Sequence, residues 1–243
     1  MNKSQLDNFI TKYTLGGEIK STKWTSNGNS LSTRFISGDK SVVGKVELSK
    51  FTHLSPCELG VYNTAQLSSL LSVLGDDVEV KLSQSGDKFI SMEFEDTNRK
   101  TKSKYMLSDL SVIPTPPELK NLPSEFELGI KVDSYFINTF TSGKSALAEA
   151  ETFTILTENN ETKIVIGYAS IASNRVTIPV ETTKYQDIEP ISFNANMFAS
   201  ILNANKDCES ATLEVSSAGL SRIQFSIDNY DSEYFLVSTQ AVN

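Results

Sequence analysis

The sequence predicts an α+β fold built by duplication, with antiparallel sheets and two short helices per domain on one face. Three observations carry this expectation. Runs of alternating apolar residues are separated by hairpin turn signals, four short segments bear a helical apolar stripe, and several stretches recur in the same order roughly 130 residues apart.

In the first half, Leu6, Phe9, Ile10 and Tyr13 recur at helical spacing, as do Leu67, Leu70, Leu71 and Leu74. Ser4 with Asp7, and Asn63 with Gln66, read as helix starts. Between these helices, EIKSTKWT, SLSTRFI and SVVGKVEL read as strands, with turns at Asn27-Gly28 and Gly38-Asp39. The second half repeats the scheme. Phe198, Ile201 and Leu202 form a stripe, Asp133 and Asn194 suit N-caps, and ETFTILT, TKIVIGYAS and SNRVTIPV read as strands with a turn at Asn159-Asn160. Helix, three strands, helix, three strands is thus expected twice.

The recurrences are direct. NFITKYTLG (Asn8–Gly16) matches YFINTFTSG (Tyr135–Gly143), and VYNTAQLSSLL (Val61–Leu71) matches SFNANMFASIL (Ser192–Leu202). VEVKLSQSG (Val78–Gly86) matches ATLEVSSAG (Ala211–Gly219), and KYMLS near Tyr105 resembles EYFLV near Tyr234. Pro114, Pro116, Pro117 and Pro123 mark the segment between the halves, because prolines remove backbone donors and hold their neighbours extended. The expected division is 1–113, a connector 114–125, and 126–243.

The chain has 243 residues, 39% of them apolar and 21% charged, which suits a globular protein. No apolar run approaches a membrane span and the first residues lack a signal-peptide core, so a cytoplasmic protein is expected, in a host bacterium if phage-encoded. Cys57 and Cys208 are isolated, and His53 is the single histidine, which leaves neither a zinc site nor a two-histidine metal motif. No cofactor is expected. Two enzyme-like motifs fail on context. SGKS (Ser142–Ser145) has Asn138 where a phosphate-binding loop needs glycine, and follows an amphipathic helix where a strand should be. Gly75-Asp76-Asp77 has no second acidic cluster with which to bind metal ions. It reads as a turn, with Gly75 as a left-handed helix terminator.

The net charge of −8 argues against a surface that coats nucleic acid everywhere. The helix windows 4–14, 63–74, 133–142 and 194–205 nevertheless hold two acids, Asp7 and Asp133, where an even spread of the 30 would give roughly five or six. Short helices capped by small polar residues can avoid charge without a function, or the acid-free faces suit weak contact with phosphates; on the second reading Lys12, within one window, and Lys3, Lys131, Lys144 and Lys206, which flank helix ends, are the candidate DNA-facing cations. A basic run, NRKTKSK with Arg99, Lys100, Lys102 and Lys104, stands where the second half has the acidic DNYDSE. It reads as a solvated loop, or as a charge that steers head-to-tail association or contacts DNA.

Together with the proline connector, the segment LGVYNTAQLSSLLSVLGDDVEVKLS resembles the DNA polymerase sliding clamps of large tailed bacteriophages and, more distantly, the archaeal and eukaryotic clamps. The resemblance implies a non-enzymatic homotrimer closed into a ring, helices lining a hole for duplex DNA, with a DNA polymerase and an ATP-dependent clamp loader as partners. It also implies pairing edge strands near 104–112 and 174–182, with Tyr105, Leu107, Val176 and Ile178 at the subunit interface. A partner-peptide pocket is implied beside the connector, at Val112, Ile113, Leu119 and Leu122, residues that also suit packing the linker. The competing expectation is a scaffolding homo-oligomer of the same duplicated domain without a DNA function.

Overall fold

The computed structural model describes residues 1–118, 122–123, 125–169 and 174–239. Its contacts divide the chain into two compact units. Unit 1 comprises Met1–Gly38, Gly44–Pro117 and Asp228–Ser232; unit 2 comprises Asp39–Val43, Glu118–Ile227 and Glu233–Asn243.

The first half runs α1 (Lys3–Thr14), β1 (Thr22–Ser26), β2 (Ser30–Ile36), β3 (Val42–Ser49), β4 (Cys57–Val61), α2 (Thr64–Ser72), β5 (Val78–Ser85), β6 (Lys88–Asp96) and β7 (Lys102–Met106). The second runs β8 (Leu128–Val132), α3 (Ser134–Ala146), β9 (Thr152–Glu158), β10 (Glu161–Ile166), β11 (Val176–Val180), β12 (Thr182–Lys184), β13 (Ile191–Asn194), α4 (Ala195–Ala204), β14 (Ala211–Ser216), β15 (Leu220–Ile227) and β16 (Tyr230–Val237). The helices and their strands recur in the same order, as expected. The alternation missed β4, β8, β12 and β13, which are short: CELGV and LGIKV carry no clear polar and apolar alternation, ISFN is four residues long and TTK three.

In unit 1 the strands lie in the order β3-β2-β1-β4, beside a separate sheet β5-β6-β7. Unit 2 has β12-β8-β14-β15-β16 and a second sheet β11-β10-β9-β13. All the strand pairs whose registers bear on the sites below are antiparallel. The Asn159-Asn160 turn takes left-handed conformations at both residues (φ 51° and 64°), the geometry that a two-residue hairpin demands.

The helices start at side chains that satisfy their first amides. Asn63, Asp133 and Asn194 accept from the backbone of Gln66, Phe136 and Met197 at 2.9–3.0 Å. The first helix is capped by Asn2, which accepts from Ser4, and not by Ser4 itself. Inward faces match the stripes read from sequence. Leu6, Phe9, Ile10 and Tyr13 are buried on α1, and Phe198, Ile201 and Leu202 on α4.

Each unit has an aromatic core beneath its helices. Phe9, Tyr13 and Trp24 meet edge to face with centroids 5.4–6.3 Å apart, and the Trp24 indole N–H donates to the Tyr13 hydroxyl at 3.2 Å. In unit 2, Phe198 lies 4.9 Å from both Phe140 and Phe153.

Gly75-Asp76-Asp77 is a structural turn, although Gly75 does not terminate α2 in a left-handed conformation. The cap is Val73, in ordinary helical geometry. Glycine is needed because a Cβ there would sit 2.5 Å from Oδ2 of Asp96. That buried carboxylate accepts from the backbone N–H groups of Gly75, Asn98 and Arg99, each at 2.8 Å. These bonds, that of Arg99 foremost, hold its pKa below the usual aspartate value. Its contribution is therefore full above the unfolded pKa of about 4 and is lost as pH falls through the depressed folded value. Asp96→Asn should lower the denaturant midpoint clearly at pH 6 and progressively less towards pH 2, measured by far-UV circular dichroism. An equal deficit at every pH would mean that the ionised form has no special role.

Candidate nucleic-acid interface and subunit edges

The open helix faces are uncharged. The exposed positions are Ser4, Asn8 and Thr11 on α1, and Ala65, Gln66, Ser69 and Ser72 on α2. On α3 they are Ser134, Tyr135, Asn138, Ser142, Ser145 and Ala146, and on α4 Asn196 and Asn203. No lysine, arginine, aspartate or glutamate of these helices reaches the exposed class.

The lysines expected to face DNA are largely committed elsewhere. Lys12 is 5% exposed, with its ammonium 5.5 Å from the centre of the Tyr230 ring. Lys144 is 8% exposed and donates to the carbonyls of Leu147 and Ala148 beyond the end of α3. Lys3 donates to the Leu74 carbonyl at 2.7 Å. Lys131 is paired with Glu181 at 3.0 Å and Asp133 at 3.5 Å. Of the five, Lys206 alone falls in the exposed class. Lys12 and Lys144 therefore correct the expectation, since neither presents an accessible charge.

The basic run is exposed but partly answered by its own sheet. Lys102 pairs with Glu95 at 3.2 Å and Lys104 with Glu93 at 2.7 Å, and these contacts hold both glutamates below their ordinary pKa. SGKS lies inside α3, so its backbone amides belong to the helix ladder and its lysine to the helix end. His53 is exposed and packs edge to face on Phe51. Among the described residues, no group of three or more His, Cys, Asp or Glu is arranged to hold a metal ion. No helix among them is long and apolar enough to cross a membrane.

Among the strands that end a sheet are β7 in unit 1 and β11 in unit 2. They fall within or beside the expected segments. The side chains differ from expectation. Ile178 is 4% exposed and pairs with Ile164, and Tyr105 is buried, its hydroxyl accepting from the Asn63 amide at 2.9 Å. Both therefore point into their own unit. Val176 and Leu107 are half-buried, and what the edges show outward is Lys102, Lys104 and Met106 on β7 and Thr177 and Pro179 on β11. Pro179 suits such an edge, where a missing N–H costs no ladder bond when it faces outward.

Near the connector, unit 1 has a groove of about 750 Å³ lined by Ile19, Tyr62, Ala65, Val112 and Pro114, among others. Tyr62 and Val112 are 59% and 57% exposed, and Ile19 is buried. Of the expected pocket residues, Val112 lines the groove, Ile113 is buried against Gly60, Leu122 is exposed, and Leu119 lies outside the described residues. Ile19 and Tyr62 were not anticipated; the exposed aromatic just before the Asn63 cap was the available signal. The connector is held to unit 1 by Lys23, which donates to the Thr115 hydroxyl at 3.0 Å, and by Arg34, which donates to the Pro117 carbonyl at 2.7 Å.

No family model matches the chain, and no curated protein matches it. Among solved structures, it is similar to the crystal structure of proliferating cellular nuclear antigen from Entamoeba histolytica, with a TM-score of 0.75 and 15% sequence identity, over 98% of this chain and 96% of that one. The α+β architecture, with antiparallel sheets and four short helices, is thus a match to the clamp fold of that antigen across nearly its whole length.

Proposed function

We propose that the chain is a DNA sliding clamp of the kind its sequence resembles: three copies close head to tail around duplex DNA and tether a replicative polymerase. The clamp fold over the whole chain is the observation that carries this reading. In it, 1–113 and 126–243 are the two clamp domains and 114–125 the connector. The role is non-catalytic, with DNA polymerase and an ATP-dependent loader as partners, and the groove beside Val112 offers an apolar seat for a partner segment.

By resemblance, head-to-tail closure would pair β7 of one copy with β11 of the next, strands that fall within or beside 104–112 and 174–182.

Encirclement is tested without a loader by letting the chain thread onto linear plasmid, sealing the plasmid with ligase, and removing free protein by gel filtration in high salt. The expected result is co-elution with the sealed circle and loss after one restriction cut, from an assembly of three times 26.8 kDa. Equal retention before and after cutting would refute encirclement, and a trimer that never stays on the circle would favour the scaffolding reading.

A further inference from the structure

An acidic chain, of net charge −8, needs some way to meet a polyanion inside a ring, and the usual device is a row of lysines and arginines. The helices lack it. No exposed position on any of the four is charged, and of the three lysines within them Lys12 and Lys144 are buried with their ammonium groups committed to a ring face and to carbonyls. Lys3, at the first position of α1, is only half-exposed and donates to a carbonyl, which leaves Lys206, two residues beyond α4, as the exposed cation among the five candidates.

The exposed hydroxyls are also partly spent. Thr11, Ser69, Ser72 and Ser145 donate back to carbonyls of their own helices at 2.8–2.9 Å, which turns lone pairs and not protons outward. Among the neutral donors left for a phosphate are the side-chain amides of Gln66, Asn138, Asn196 and Asn203 and the hydroxyl of Tyr135, which is 76% exposed.

Resting on the clamp reading, we infer that these helices meet the duplex through neutral amide and hydroxyl donors, so that the ring moves along DNA with almost no counterion release and is held there by topology alone. A hydrogen bond from a neutral amide to phosphate exchanges readily with water, and no ion need be displaced or recaptured at each step. A charged contact would show itself in salt. Six to ten phosphate contacts by cations change affinity by roughly a thousandfold or more between 50 and 200 mM salt, whereas neutral donors leave it nearly flat.

The test follows labelled protein threaded onto stretched linear duplex whose two ends are then blocked, with the diffusion coefficient read at 50 and 200 mM KCl. Sedimentation at both salts keeps ring opening separate from sliding. The unmodified chain is expected to change by less than about twofold. The double variant Asn138→Lys with Asn196→Lys, at exposed positions of α3 and α4, is expected to diffuse several-fold more slowly at 50 mM and to recover at 200 mM. A tenfold or larger salt effect in the unmodified chain would overturn neutral contact. Unchanged diffusion of the lysine variant at both salts would also overturn it, because the helices would then not meet the DNA. Protein that is never trapped between blocked ends would instead remove the clamp reading itself.

Discussion

Trp24→Ala is expected to destabilise the protein by about 3–5 kcal/mol, the largest loss from a single truncation in unit 1. Trp24 is fully buried on β1, beneath α1, and its ring meets those of Phe9 and Tyr13 edge to face. Truncation empties the centre of the layer between helix and sheet, and the surrounding side chains cannot close the space because Phe9, Tyr13 and Phe35 are themselves fixed by packing. It also removes the indole donor from the Tyr13 hydroxyl, leaving that oxygen with Thr64 at 3.4 Å as its remaining side-chain partner. Burial keeps Tyr13 neutral well above the ordinary tyrosine pKa, so ionisation offers no relief. With a urea slope near 3 kcal/mol per molar, the midpoint should fall by at least about 1 M, followed by far-UV circular dichroism. Trp24→Phe keeps most of the ring and loses the hydrogen bond, so its loss should be well under half as large. Equal losses for the two variants would place the energy in the hydrogen bond and not in packing.

The core and the helix starts were legible because both are local. Periodic leucines and phenylalanines need only their own helix to declare an inward face, and Asn63, Asp133 and Asn194 cap amides three residues away. The fate of each lysine was not local. Lys12 sits one residue before a core tyrosine, but what covers it is Tyr230, which comes from the far end of the sequence. Lys144 looks like a helix-end cation available to solvent until its four-carbon stem is seen to curl onto the carbonyls that follow α3. Gly75 shows the same limit. A glycine after a leucine stripe suggests a left-handed cap, whereas the constraint here comes from Asp96, across the sheet beyond β5. The absence of charge from the open helix faces was visible as a count of missing acids. That Lys12 and Lys144 are buried as well required the structure.

Ile178→Asp and Thr177→Pro separate folding from assembly at adjacent positions of one strand. Strand alternation turns Ile178 inward, opposite Ile164, and Thr177 outward, opposite Val165. A carboxylate at 178 loses an isoleucine's packing and leaves a charge with no solvent, a cost of at least ~3 kcal/mol against a typical domain stability of ~5–15 kcal/mol. The expected result is loss of cooperative unfolding for unit 2, whatever the oligomeric state. Thr177→Pro acts only on the open edge. A proline is tolerated two residues on, at 179, and alternate residues of a strand aim their amides to the same side, so the amide of Thr177 faces away from β10 if that of Pro179 does. Removing it should leave circular dichroism and the denaturant midpoint nearly unchanged while a second copy loses its remaining donor along that edge. Sedimentation should then report a monomer at micromolar concentration where a trimer is expected of the unmodified chain. A folded Thr177→Pro protein that still assembles would show that β11 is not the strand on which the next copy pairs.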